Sequence, residues 1–136
     1  MKTVALIEKG RDGSYGVYTP NLESTIIGSG ATVAEAIADF QNSMREVQTA
    51  FAEAGEQLPE ELQDVEFEYR YDIASVFNFF KFINVTRFAK YAGINASLLR
   101  QYKSGGTYIS EAQAQKIETA LHRCGKELLA LSLLAK

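Results

Sequence analysis

Asn95, Ser97, Arg100, Gln101 and Ser104 fall within one short stretch of this chain, and each carries a hydrogen-bonding group suited to reading nucleic acid. Arg pairs with the acceptors of guanine, Gln and Asn with adenine, and small hydroxyls permit close approach to base edges in a major groove. Arg87, Lys90 and Lys103 flank this row, and Lys81 lies just before it. Arg87, Lys90 and Lys103 are expected nearer the phosphates, with Thr107 and Tyr108 as further backbone contacts, where they position a protein on a duplex without carrying sequence information. From Ile73 to Ser110 there is no Asp or Glu at all. The chemistry these residues offer is recognition of a polyanion, double-stranded DNA.

Bond-making chemistry is not expected. A metal-dependent nuclease needs several convergent carboxylates. Here Glu8 and Asp12 flank a turn, Glu35, Asp39, Glu46 and Glu53 fall on the polar side of a helix, and Glu66 and Glu68 alternate outward, so solvated surface is their simpler role. His122 is the one histidine and Cys124 the one cysteine, which leaves no zinc site and no internal disulfide. His122 reads as a surface polar group and Cys124 as a small apolar filler at a helix end. Gly28-Ser29-Gly30 lacks the third glycine and the following Lys of a phosphate loop, and reads as a turn. No cofactor, no metal and no enzymatic activity are expected.

The chain has 136 residues, 46% of them apolar, enough to bury a core as one domain or two small ones. Its charge is divided by position. Residues 1–72 hold 5 Lys and Arg against 14 Asp and Glu, a balance of −9, and residues 73–136 hold 9 against 3, a balance of +6. An acidic half joined to a basic half points to two modules with different partners. No apolar run approaches the roughly 20 residues that span a bilayer, and the short run Val4 to Ile7 is no signal-peptide core. A soluble, cytoplasmic protein without a membrane partner is expected.

The elements follow from period and punctuation. Residues 3–8 and 14–19 read as strands around a Gly-rich reversal at 9–13, and Ser24 to Gly28 as a third strand. Thr32 and Glu35 have capping-box spacing at the head of a helix whose Val33, Ile37, Phe40, Met44, Val47 and Phe51 form one apolar face, ended by Gly55. Val65 to Tyr71 alternates as a half-buried strand. The expectation is an α+β chain: a β-β-β-α-β module at 1–71, then an all-helical module at 72–136. Asp72 is expected to cap a helix with Ile73, Val76, Phe77, Phe80 and Ile83 inside, and Phe79 or Phe82 to meet the first module or a partner subunit. Further helices are expected near 86–92, 95–103 and 110–124, the last opened by Ser110 and Gln113. Gly125 either separates a final short helix or only bends a long one.

Within this, Val85 to Ser104 has the spacing of a helix-turn-helix. Ala89 must be small where the second helix crosses, Gly93 turns the chain in the left-handed conformation, and Ile94 and Leu99 seal the angle. Asn95 caps the second helix and leaves the polar row on its outer side.

Phe88-Ala89-Lys90-Tyr91-Ala92-Gly93-Ile94-Asn95, Leu98 to Tyr102 and Ser110 to Gln113 resemble the repressor-like (Xre/Cro-type) helix-turn-helix. Ser14 to Pro20 and Gly28 to Ala36 resemble the HicB antitoxin domain, a degenerate ribonuclease-H-like unit. The second strand departs from that family in lacking an acidic residue before its proline-containing turn. The resemblance implies an antitoxin of a type II toxin–antitoxin system. Its first module would bind and neutralise a small ribonuclease toxin of the HicA type. Its second would bind operator DNA and repress its own operon, as a homodimer or tetramer on half-sites about 34 Å apart. The alternative is a stand-alone transcriptional regulator whose first module dimerises or senses a ligand.

Overall fold

The apolar and alternating runs of the first half become one four-stranded sheet in the computed structural model. It describes residues 1–10, 12–105 and 107–134, except the side chains of Ser75 and Phe79, so the expectation for Phe79 lies outside the described set. β1 (Lys2–Lys9), β2 (Tyr15–Tyr18) and β3 (Ile27–Gly30) form an antiparallel meander. β4 (Glu66–Tyr71) then joins the other edge of β1 in parallel, giving the order β3-β2-β1-β4. The fold is α+β, with helices following the sheet.

α1 (Val33–Glu53) covers one face of the sheet. Thr32 Oγ1 accepts from the Glu35 amide at 3.1 Å, and the Glu35 carboxylate accepts from the Ala31 amide at 2.9 Å, so one free donor of the first turn and the amide just before the cap are satisfied. Ala36, Phe40 and Met44 are buried beneath the helix with Ala5, Ile7 and Val17 of the strands. The Phe40 ring meets Phe67 edge-on at 4.9 Å between centroids, an arrangement worth about 1 kcal/mol beyond its buried area.

Gly28 and Gly30 do not form the expected turn. They lie inside β3, which runs from Ile27 to Gly30 instead of from Ser24 to Gly28. A Cβ at Gly28 would sit 2.3 Å from the Phe40 backbone nitrogen, and one at Gly30 2.6 Å from that of Ala36. The glycines let an edge strand press against the backbone of α1. Ser29, between them, donates its amide to the Asp39 carboxylate at 2.9 Å. Glu61 similarly accepts from the Ser24 amide at 2.7 Å, and Asp12 from that of Ser14 at 2.9 Å. Several carboxylates of this module thus serve backbone donors where the sequence pointed to simple solvated surface.

The parallel register pairs Leu6 with Arg70 and Ile7 with Tyr71, so the next residues in step are Glu8 and Asp72. Side chains alternate along strands, so Leu6, Glu8, Tyr18, Arg70 and Asp72 share the face opposite α1. Partial burial, and the negative Asp72 beside it, raise the pKa of Glu8 above the usual carboxylate range.

The helical module contains α2 (Ala74–Phe79), α3 (Val85–Ala92), α4 (Ala96–Ser104) and α5 (Glu111–Leu129). Asp72 Oδ1 accepts from the Ala74 amide at 2.9 Å at the head of α2. Phe77 is buried against Phe88, but Phe80 is not an inner residue. The helix stops at Phe79, and Phe80 takes a non-helical backbone (φ −97°, ψ 64°) that leaves its side chain half exposed. Phe82 is 82% exposed and meets the edge of Phe80 instead of the first module. α5 passes through Gly125 without a break, so one long helix is formed; Ile117 and Ala120 anchor it in the core. Leu128, Leu129, Leu131, Leu133 and Leu134 beyond them are exposed. Among the described residues no helix is long and apolar enough to cross a membrane.

Two outcomes follow. Gly28→Ala lowers stability by about 3 kcal/mol in urea unfolding, whereas Gly16→Ala, whose Cβ would meet nothing closer than 3.9 Å, changes it far less. A raised folded-state pKa favours folding while Glu8 is protonated and disfavours it once the group ionises. Glu8→Gln therefore melts above the wild type at neutral pH. That advantage shrinks as pH falls through the raised value toward the ordinary glutamate range, as thermal unfolding across pH will show.

Candidate nucleic-acid interface

α3 and α4 take their geometry from three local devices. Asn84 Oδ1 accepts from the Arg87 amide at 2.9 Å and starts α3. Gly93 adopts the left-handed conformation (φ +72°), and the Ile94 amide donates to the Ala89 carbonyl at 2.9 Å, closing the helix end. Asn95 Oδ1 then accepts from the Leu98 amide at 3.0 Å and starts α4. Ala89 and Leu99 are fully buried where the helices cross, with Ile94 beside them. A larger side chain at Ala89 would force α4 outward.

All eight residues expected at the interface are exposed: Arg87, Lys90, Asn95, Ser97, Arg100, Gln101, Lys103 and Ser104. They are not equivalent. Arg100, Lys103 and Ser104 line an open cleft of about 660 Å³ together with Lys81, Asn84 and Thr86, where α4 faces the start of α3. Arg100 Nη1 donates to Thr86 Oγ1 at 2.9 Å and Nη2 to Ser97 Oγ at 3.1 Å. These bonds hold the guanidinium while leaving other N–H donors of its fork free for a ligand. Ser104 donates its hydroxyl to the Gln101 carbonyl at 3.1 Å and keeps only acceptor capacity. Asn95 is exposed but partly committed. Its carbonyl oxygen is committed to the cap, so the paired acceptor and donor that adenine requires are not both free. Arg87, Lys90 and Gln101 stand outside the cleft on the same two helices.

Sequence reasoning missed Lys81 and Thr86 as members of this surface. Lys81 already stood in the acid-free stretch, which was the available signal; Thr86 had none, because its role depends on where α4 crosses. Thr107 and Tyr108 depart from expectation. Both line the junction with the sheet, and the Tyr108 hydroxyl donates to Asn21 Oδ1 at 3.3 Å, a side-chain bond between the two modules.

The positive charge of this surface is open. Among the described residues the ion pairs join Arg70 to Glu68 and His122 to Glu118, and none involves Lys81, Arg87, Lys90, Arg100 or Lys103. On the far side of α3, Arg123 stacks on the Tyr91 ring at 4.2 Å and donates to the Tyr91 carbonyl at 2.8 Å. That contact, also unread in the sequence, clamps α5 to α3 and keeps one cation of α5 out of the interface. Among the described residues no group of three or more His, Cys, Asp and Glu side chains could hold a metal ion.

Compared with protein-family models, with curated proteins and with solved structures, the chain matches none.

Removal of the cap by Asn95→Ala is expected to cost about 1 kcal/mol in urea unfolding, and Asn95→Asp, which keeps the acceptor, to cost much less. Gly93→Ala, with its side chain forced into the left-handed region, is expected to cost about 1–2 kcal/mol.

Proposed function

We propose that this chain is an antitoxin-type repressor: the helical module binds double-stranded operator DNA, with α4 in the major groove, and the acidic module binds and blocks a small basic ribonuclease toxin. The cleft beside α4 carries the reading. Lys81, Arg100 and Lys103 border it without a neutralising carboxylate among the described residues, and Arg100 is pre-positioned by Thr86 and Ser97. Arg100 is assigned to a base edge, and Gln101 and Ser97 to neighbouring bases. Lys81, Arg87, Lys90 and Lys103 are assigned to phosphates.

One such module makes few phosphate contacts and holds DNA weakly at physiological salt, so two or four chains on repeated half-sites are required for tight binding. In the first module, the exposed Glu35, Asp39, Glu46 and Glu53 of α1 suit a cationic partner in the cytoplasm. The roles of Asp39, Glu35 and Glu61 as acceptors for backbone amides support a binding module and not an enzyme. A second reading, a stand-alone regulator with a ligand-sensing first module, is favoured by the tyrosine-lined cavity between the modules.

Fluorescence anisotropy on the duplex upstream of the chain's own gene tests the DNA assignment. Affinity is expected to fall with a log–log salt slope of about 0.9 per phosphate contact. Arg100→Ala is expected to weaken binding roughly tenfold or more and to relax the sequence preference, whereas Lys103→Ala reduces the slope. A flat signal for that duplex at low salt would end the proposal.

A further inference from the structure

The face of the sheet that α1 leaves bare meets the helical module along a small cavity, and its chemistry is unlike that of the DNA-facing cleft. We infer that this cavity is a binding site for a small organic cation, an alkylammonium or guanidinium group. The inference goes beyond the duplex-binding reading and does not rest on it.

The cavity measures about 200 Å³, the volume of roughly seven liquid waters, which fits a cation of about six non-hydrogen atoms. Tyr18, Tyr71, Tyr102 and Tyr108 line it, with Leu6 and Asp72. The phenols of Tyr18, Tyr102 and Tyr108 supply negative ring faces and hydroxyl oxygens, the surroundings that attract a desolvated ammonium or guanidinium, while Tyr71 borders the cavity from β4 with its side chain on the α1 face beside Ile7. Asp72 supplies charge. Its Oδ1 already accepts from the Ala74 amide at 2.9 Å, which fixes the carboxylate and leaves the second oxygen for a ligand.

Glu8 doubles that charge. The parallel register sets Glu8 beside Asp72 on neighbouring strands and on the same face, and Gly16, the partner of Glu8 on β2, places no side chain over it. Neither carboxylate has a cationic partner among the described residues. Arg70 is on the same face and its charge reaches Tyr102 on the cavity wall, but its ion pair is with Glu68, further along the sheet, and not with Asp72 or Glu8. Two adjacent carboxylates without a counter-ion, under partial burial, are an arrangement that a bound cation relieves. The raised pKa values of Glu8 and Tyr18, each caused first by burial and then by neighbouring negative charge, are the same strain seen from the titrating groups. An anion would be repelled and a neutral guest would leave the pair uncompensated.

The cavity is shared between modules. Tyr18, Tyr71 and Leu6 come from the sheet, while Tyr102 lies in α4 and Gly105, Thr107 and Tyr108 follow it directly. A guest therefore touches the strand and the end of the proposed recognition helix at once.

The test uses the full chain and its own tyrosines, since it has 7 of these and no tryptophan to mask them. Titration with N-ethylguanidinium and with butylammonium chloride is expected to change tyrosine fluorescence saturably, in the millimolar range set by so few ligand atoms. Sodium chloride at equal strength, and butan-1-ol, are expected to give no saturation. Asp72→Asn keeps the acceptor for the Ala74 amide and so the fold, and it is expected to weaken binding about tenfold or more; Glu8→Gln weakens it less. Circular dichroism checks that both variants are folded. Nα-acetyl-arginine amide separates two sources of the same chemistry. Binding as tight as that of N-ethylguanidinium points to a side chain offered by a partner protein, and exclusion points to a free small amine or guanidine. Absence of saturation with both cations, equal binding of butan-1-ol, or undiminished binding by folded Asp72→Asn would overturn the inference.

Discussion

Two consecutive backbone amides hold the molecule in one piece. The Tyr71 amide donates to the Ile109 carbonyl at 3.0 Å, and the Asp72 amide donates to the Ile7 carbonyl at 2.7 Å. Successive N–H groups of an extended chain point to opposite sides, so the end of β4 is bonded to β1 on one edge and to the segment after α4 on the other. A buried amide stripped of its acceptor costs about 1–3 kcal/mol, which makes this junction resistant to shearing. Tyr71 packs into both cores, so bonding and packing lock the same point. The orientation of α4 relative to the sheet follows from that lock, and with it the direction in which Arg100 and Lys103 present their charge.

The electrostatics of the two modules follow different rules. In the first, negative charge is partly structural: carboxylates on helix and loop accept from amides that the edge strand and the turns leave open. In the second, positive charge is free of such duties, apart from Arg123, whose stack on Tyr91 is part of the helix packing. Free charge is therefore concentrated where side chains have no backbone to serve.

What the sequence disclosed was local. The caps at Thr32, Asn95 and Ser110 need only a side chain and an amide three residues away, and the turn at Gly93 needs only one backbone conformation. The row on α4 was visible because helical period alone sets an outer face. What stayed hidden depended on distant partners. Gly28 and Gly30 are small because α1 crosses them, and no neighbour in the chain announces that. The apolar period through Phe80 continued beyond the point where the backbone leaves the helix, so an exposed ring was read as core. The cleft could not be read as a cleft, because Lys81 and Thr86 join Arg100 only when α4 has crossed α3. Nor does any local pattern reveal that β4 runs parallel to β1.

That parallel pairing has a kinetic side. Lys2 is paired with Glu66, so 64 residues must be made before the first strand meets its partner. At ribosomal speeds the delay is roughly 3–13 s, long beside the microseconds in which a hairpin of β1 and β2 forms. During that interval one margin of β1, with the apolar Val4 to Ile7, has unsatisfied amides and carbonyls and is open to any extended chain nearby. The helical module, made of contacts close in sequence, has no such wait. The nascent sheet is thus most vulnerable to misassembly just before the helices that will lie beside it emerge.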